Sequence, residues 1–186
     1  MNYDQLIYEA ALKGGFTPTS AKLVVAQARH ETGDYKSNVL NKNNNLFGMK
    51  FVGQALATRG TPAPKSEWGC GGKCNSDFYS KYANVSDSVQ DLINRNLKFT
   101  RNGVTFEQLK NATDTTTYAN LLKKRGYYGA TATIYDSGLK RALNKLNIVE
   151  MAKSITKTKE GKFVIGLTLI GVGLLIYFNI FKMKTN

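Results

Sequence analysis

Apolar residues recur every three or four positions along most of the first 150 residues, the spacing of helices that bury one face. This periodicity predicts helices over residues 4–13, 17–33, 86–97, 105–110, 115–124 and 133–146. Pro18 opens the second of these helices and Gly33 closes it, and Ser86 is the expected N-cap of the third. Residues 47–82 break the pattern, because they are rich in Gly, Pro and aromatic residues and contain only short runs such as MKFV and DFYSKY. We therefore expect a mainly α fold with a small β-hairpin lobe (α+β) and a cleft between the two lobes.

An uninterrupted apolar run occupies residues 163–181. These 19 residues carry no charge, and lysines flank them on both sides. About 20 apolar residues are enough to cross a bilayer as a helix, and a buried core helix of this length without a charge is rare. The pattern predicts a soluble domain over 1–150, a basic linker over 151–162, one C-terminal transmembrane helix over 163–181 and a basic tail over 182–186. The N-terminus shows no secretory signal, so we expect a single-pass protein held in a lipid bilayer by its C-terminal helix.

Composition narrows the classes of partner and site. The 186 residues contain 26 Lys and Arg against 13 Asp and Glu, a net charge of +13. Such a chain is expected to bind a polyanion, and since no nucleic-acid motif is present we expect no nucleic-acid partner. Two Cys and one His exclude a disulfide-dense scaffold, a four-Cys zinc site and any site that needs two imidazoles. No metal or cofactor is expected.

Glu31 is the candidate for acid chemistry. With Val24 and Ala28 it shares one face of the second predicted helix, and that face is otherwise apolar. A partly desolvated carboxyl there would have a raised pKa and could serve as a general acid. The periodicity alone favours the alternative, a solvated glutamate near a helix end.

The residues around Glu31 favour the general acid over the solvated glutamate. The sequence has Ala26-Gln27, then Glu31-Thr32-Gly33, then NNLFGMK over residues 44–50. Two later blocks follow in order, YSKY with SVQD over residues 79–91 and Gly126-Tyr127 followed by Tyr135. Over about residues 5–147 the chain resembles the glucosaminidase family of peptidoglycan hydrolases, glycoside hydrolase family 73. That resemblance implies a lysozyme-like fold and cleavage of the β-1,4 bonds of the GlcNAc/MurNAc glycan strand.

The resemblance also implies roles for particular residues. Glu31 matches the general acid, Glu67 the position of a second carboxylate, and Tyr127 a catalytic tyrosine in the cleft. The residues expected to shape the substrate groove or to stack on sugars are Asn45, Phe47, Gly48, Tyr79, Tyr82 and Tyr128, the last also being an alternative register for Tyr127. The Asp that the family usually carries in the last block is absent here.

Several interpretations stay open on the sequence. Glu67 could stabilise the cationic transition state or activate water. Without it, the N-acetyl group or a hydroxyl of the substrate could attack, and the hydroxyl route would make the protein a lytic transglycosylase. Two alternatives from other functional classes are also open. One is a non-catalytic wall-binding or virion structural protein, and the other is a pore formed by the apolar run.

The apolar run and its flanking lysines also raise a question of delivery. The lysines before residue 163 favour a cytoplasmic domain, away from any wall. One hypothesis is a phage protein that is carried in a virion membrane, in contact with virion proteins, for wall breach at entry or lysis. A cellular tail-anchored autolysin in the cell envelope is the alternative.

Cys70 and Cys74 lie in WGCGGKC. Their close spacing allows a disulfide that pins the β-lobe loop. A Cys–His hydrolase would instead need one of these thiols beside His30 and a third group that orients it. His30 itself is expected at the rim of the cleft or on the surface.

Overall fold

The computed structural model describes residues 2–146 and the backbone of residues 164–170 and 173–179, and the chain forms two compact units, Met1–Leu146 and Asn147–Asn186. The α-helices of the first unit are α1 (Tyr3–Lys13), α2 (Pro18–Thr32), α3 (Asn38–Asn43), α4 (Val85–Asp91), α5 (Phe106–Lys110), α6 (Thr115–Lys124) and α7 (Ala132–Leu143). Its strands are β1 (Ala57–Pro62) and β2 (Phe78–Tyr82). The expected mainly α domain with a small two-stranded sheet is confirmed.

Helix α2 is the centre of the first unit. It packs against α1 on one side and α7 on another, and Val24, Val25 and Ala28 are completely buried. Thr17 caps its N-terminus by accepting from Ser20 N, and Pro18 occupies the first turn. A helix buried on nearly all sides takes its direction from its neighbours, so its last turn is held in a defined place.

The small lobe is an antiparallel hairpin with an irregular register. Ala57 pairs with Tyr82 and Arg59 with Ser80, and the register shifts before Pro62 meets Phe78. The run MKFV, residues 49–52, contributes only one isolated bridge, between Lys50 and Tyr79. Pro and Gly interrupt the pairing that longer strands would need.

Two local predictions need correction, and one helix was not predicted. Helix α4 begins at Val85 with Asn84 as its cap, because the Asn84 side chain accepts from Asp87 N and Ser86 lies inside the first turn. The third predicted helix continues as a π-helical segment, Leu92–Leu97. Helix α3 was not expected, since its six residues are too few to show a period.

The second unit does not show the predicted helix over 163–181. Its described residues form two antiparallel strands, β3 (Val164–Ile170) and β4 (Gly173–Asn179), in which Val164 pairs with Asn179. The length and hydropathy of the run indicate a helix, but the run is also rich in β-branched residues, which favour strands. Among the described residues, none of the helices has the length and hydropathy to cross a membrane. The predicted linker over 151–162 and tail over 182–186 lie outside the described residues.

Candidate active site

Glu31 lies in the last turn of α2, one turn beyond the buried Gln27. Its side chain is accessible to solvent. The surrounding protein atoms nevertheless desolvate the carboxyl and raise its pKa, and a hydrogen bond from the Tyr135 hydroxyl to Glu31 Oε1, 2.6 Å long, only partly opposes the rise. An accessible carboxyl that holds its proton above the usual range is suited to protonate a leaving group.

The backbone directly after Glu31 is held in an uncommon conformation. Gly33, Asp34 and Tyr35 have φ angles of 57°, 57° and 66°, and such angles cost non-glycine residues about 1–3 kcal/mol each. Arg29 secures the segment by binding Asp4 through two bonds of 2.8 Å and Asp34 through one of 3.1 Å. The Tyr35 hydroxyl donates to the same Asp4 at 2.6 Å. This network fixes the end of α2, and with it the acid, against α1.

Aromatic rings surround the partner of the acid. Tyr135, on α7, stacks on Tyr128 with ring centroids 3.8 Å apart and planes 9° apart, and it meets the edge of His30 at 4.9 Å. The Tyr128 hydroxyl donates to Ala119 O at 2.8 Å, so Tyr128 is a half-buried support rather than a freely exposed ring. His30, expected at the rim or surface, is half-buried, and a Cβ on Gly138 would lie 2.4 Å from its ring. α2 and α7 therefore meet closely beside the acid.

Tyr127 lies within electrostatic reach of Glu31. Burial raises its pKa first, and the nearby Glu31 raises it further. Its hydroxyl oxygen is buried and has no hydrogen-bond partner among the described residues. Tyr127 therefore lies near the acid, but the tyrosine that binds the acid directly is Tyr135.

Asn45, Phe47 and Gly48 build the turn that follows α3. Asn45 Oδ1 accepts from Met49 N at 3.0 Å, and Asn45 Nδ2 donates to Met49 O at 2.9 Å and to Ser80 O at 3.0 Å. Asn45 is 1% exposed and Phe47 5%, so they shape the turn rather than present a surface to substrate. Gly48 has a φ of 62°, which favours glycine.

Glu67 and Tyr79 lie together on the small lobe. Lys50 Nζ binds Glu67 Oε2 at 2.5 Å and sits 4.3 Å from the centre of the Tyr79 ring. The Glu67 side chain is 46% exposed. The described hydrogen bonds and ion pairs connect Glu67 with Lys50 and do not connect it with Glu31.

Tyr82 is a core residue, which corrects its expected role in sugar stacking. It is 2% exposed, and its hydroxyl donates to Asp91 Oδ2 at 2.7 Å. A ring buried on both faces offers no platform to a sugar. Tyr79, which is half-buried, keeps the stacking role as a prediction.

Cys70 and Cys74 form a disulfide, which resolves the alternatives that the sequence left open. Both sulfurs are bonded, so neither can act as a nucleophile and the Cys–His hydrolase is excluded. Asp77, fully buried, accepts from the backbone N–H of Gly69 at 2.7 Å and of Gly72 at 2.7 Å. The three side chains lie within reach of one another, but the disulfide removes the thiolates that a metal would need.

Sequence reasoning missed three residues of the site. Tyr135 belongs to the last sequence block, but nothing in its spacing shows that it reaches a helix more than 100 residues away. Gln27 precedes Glu31 by four positions and therefore shares its helix face, which was a usable signal. Tyr118, whose hydroxyl donates to Gln27 Oε1 at 2.8 Å, carried no signal in the sequence.

Comparison with known proteins bears on this arrangement. A family model described as "Mannosyl-glycoprotein endo-beta-N-acetylglucosaminidase", the glucosaminidase family, matches residues 7–148. No curated protein sequence matches the chain.

Two solved structures are similar to it. One, a peptidoglycan hydrolase mutant from Sphingomonas sp. A1, is 25% identical, with a TM-score of 0.49 over 80% of this chain and 93% of that chain. The other, the catalytic domain of the autolysin Auto from Listeria monocytogenes, is 18% identical, with a TM-score of 0.48 over 80% of this chain and 82% of that one.

Proposed function

The chain belongs to the glucosaminidase family, and from this premise we propose that it hydrolyses β-1,4 glycosidic bonds of the peptidoglycan glycan strand. The observation that carries the proposal is the state of Glu31, an accessible carboxyl whose pKa is raised by desolvation at the end of a buried helix. The class of bond cleaved is inferred from the family, and the general acid is inferred from the geometry of the site.

Glu31 is the general acid in this proposal. A glycosidic oxygen is a poor leaving group until it is protonated, and the protonated carboxyl donates to it as the bond to the anomeric carbon breaks. The sugar then develops positive charge. The Tyr135 hydroxyl stabilises the carboxylate that remains, because it donates to Oε1, one of the two oxygens that share the negative charge.

Three routes can complete the reaction. Glu67 can activate water or stabilise the cation, and its ion pair with Lys50 holds it on the lobe. Alternatively, the N-acetyl group or a hydroxyl of the substrate attacks, and the hydroxyl route gives a lytic transglycosylase with Glu31 as sole acid and base. Mass spectrometry of the released ends separates endo-β-N-acetylglucosaminidase, muramidase-type and transglycosylase chemistry, since these leave reducing GlcNAc, reducing MurNAc and anhydro-MurNAc respectively.

The decisive experiment replaces Glu31 by Gln. The amide keeps the shape and cannot donate the proton, so clearing of a purified wall suspension should slow by about 10²- to 10⁴-fold. Glu107→Gln is the matched control, because Glu107 is exposed on α5 and pairs with Lys110. If the Glu31→Gln variant cleared the wall suspension as fast as the Glu107→Gln variant, Glu31 would not be the general acid. Wall binding by the wild type without any clearing would instead support a non-catalytic wall-binding or virion structural protein.

The location of the enzyme is a second part of the proposal. The 19 uncharged residues of 163–181, with flanking lysines, support tethering to a lipid bilayer in a virion membrane or host envelope. The +13 net charge would add attraction to an anionic wall, and this attraction should weaken in high salt.

Flotation with vesicles should show the full chain bound and a version ending at residue 146 free. Detection of the protein in purified virions would support a role in phage entry, and its absence there would count against it.

A further inference from the structure

Two buried polar atoms lie unpaired beneath the acid. Gln27 Nε2 and Tyr127 Oη both lack a hydrogen-bond partner within the part of the chain that the structure describes. Gln27 is completely buried. It lies near enough to Tyr127 to lower the pKa of that phenol, yet the contact falls short of hydrogen-bond geometry. Unpaired buried polar groups are costly and rare, and a catalytic role is one of the reasons for which a protein keeps them.

Tyr118 determines which way the Gln27 amide faces. Tyr118 is completely buried, and its hydroxyl donates to Gln27 Oε1 at 2.8 Å. A buried phenol proton needs an acceptor, and reversing the amide would place an NH₂ group against it. The amide is therefore locked with its oxygen towards Tyr118 and its N–H groups free for Tyr127.

The locked amide controls the neighbouring phenol. A hydroxyl oxygen that accepts a hydrogen bond from an amide N–H must direct its own hydrogen towards a different acceptor. Tyr127 lies beside Glu31, and Gln27 is one helical turn below Glu31 on the same face. The phenol proton then cannot point at Gln27 and is available to the other groups near Tyr127, of which Glu31 is one.

We propose that Gln27, oriented by Tyr118, is a positioning residue that completes its bond to Tyr127 when substrate binds and so points the Tyr127 hydroxyl at the reacting groups. The inference rests on the proposed glycosidase activity. Contacts that are loose in the empty site commonly tighten in the substrate complex. Gln27 itself does not touch substrate, because it is completely buried.

The first test is Gln27→Met, which keeps the length of the side chain and removes the amide. We expect kcat to fall by about 10- to 100-fold with little change in KM, since misplaced catalytic groups cost rate rather than binding. Gln90→Met is the matched control, because Gln90 lies on α4 and bonds only Asn94 among the described residues. Equal kcat values for the two variants would overturn the inference.

A second variant, Gln27→Glu, separates positioning from packing. When protonated, the new carboxyl offers the same carbonyl acceptor and the same kind of donor as the Gln27 amide, whereas the ionised carboxylate offers acceptors only. The kcat of this variant, divided by that of the wild type, should therefore be near one at low pH and fall as pH rises. A packing role predicts a ratio that does not change with pH, and that result would contradict the proposal.

Tyr118→Phe gives an independent check if substitutions at position 27 prevent folding. Without the Tyr118 hydroxyl the amide is free to reverse, so kcat should fall in the same sense as for Gln27→Met. Unchanged kcat in Tyr118→Phe would overturn the role of Tyr118. If the wild type cleaves no glycan at all, the proposed function fails. The inference about Gln27 fails only when the wild type is active and its variants have the same kcat. The two failures are therefore distinguishable.

Discussion

Tyr135 on α7 donates its hydroxyl hydrogen to Glu31 Oε1 on α2 at 2.6 Å, across 104 residues of sequence. The bond favours the ionised carboxylate and lowers the pKa of Glu31, while desolvation raises it and is the larger effect. The acid is therefore tuned by two opposed contributions that come from different parts of the chain. The balance leaves a proton available for donation and a partner for the carboxylate once the proton has gone.

Tyr135→Phe should move the pH dependence of activity. Removing the donor destabilises the carboxylate, so the pKa of Glu31 rises and the loss of activity at high pH shifts to a higher pH. The measurement is kcat/KM on soluble glycan strands across the pH range. Tyr128→Phe is the control, because its hydroxyl bonds Ala119 O instead. A shift towards lower pH would show that the bond does not stabilise the carboxylate.

Glu31→Gln should also change the pH dependence of stability. The raised pKa of Glu31 means that the folded chain favours the neutral form, so its contribution to stability is present below the ordinary glutamate pKa of about 4.3 and is lost as pH rises through the raised value. The variant has no such loss. Its Tm should exceed that of the wild type at neutral pH, and the difference should shrink in acid. Calorimetry at both pH values checks this, and a constant difference would argue against a raised pKa.

Gly138→Ala should destabilise the contact between α2 and α7. The new methyl group would lie 2.4 Å from the His30 ring, and relieving such overlap costs about 1–3 kcal/mol. Chemical denaturation measures the free energy of unfolding. Gly129→Ala is the control, since a Cβ there meets nothing within 4 Å.

A double variant shows whether the cost comes from that contact. His30→Ala should make Gly138→Ala less damaging, because it removes the ring that the methyl group strikes. If the two effects simply add, the clash is not the cause.

Lys50→Met tests whether the second carboxylate is held for catalysis. The change removes the 2.5 Å ion pair with Glu67 and leaves Glu67 without its anchor. We expect hydrolysis to slow by about tenfold, whereas an exposed ion pair contributes only about 0–1 kcal/mol to stability and Tm should change little. Lys81→Met, on the same lobe and exposed, is the control. An unchanged rate would favour a route that uses a group of the substrate instead of Glu67.

The helical part of the fold was predictable because its signals are local. The predicted helix over 115–124 matches α6, and the segment 17–33 brackets α2 with Pro18 at its start and Gly33 at its end. The predicted N-cap of α4 was wrong by two residues, since Asn84 and Ser86 are both acceptable caps and only the backbone decides between them. The apolar run over 163–181 shows the limit of this reasoning, because its described residues form strands where length and hydropathy indicate a helix.

The amino-acid sequence by itself determined the family, the bond class that the family implies and the position of Glu31 on the helix face that also carries Val24 and Ala28. The reason is that motifs and periodicity lie within short stretches of sequence. The tertiary structure decided which groups act on Glu31. Tyr135 reaches it, Gln27 and Tyr118 lie beneath it, and Tyr82, equally aromatic in the sequence, is withdrawn into the core. The reason is that burial and hydrogen bonding depend on the packing of helices far apart in the chain, and the pKa of a carboxyl responds to that surrounding rather than to its neighbours in sequence.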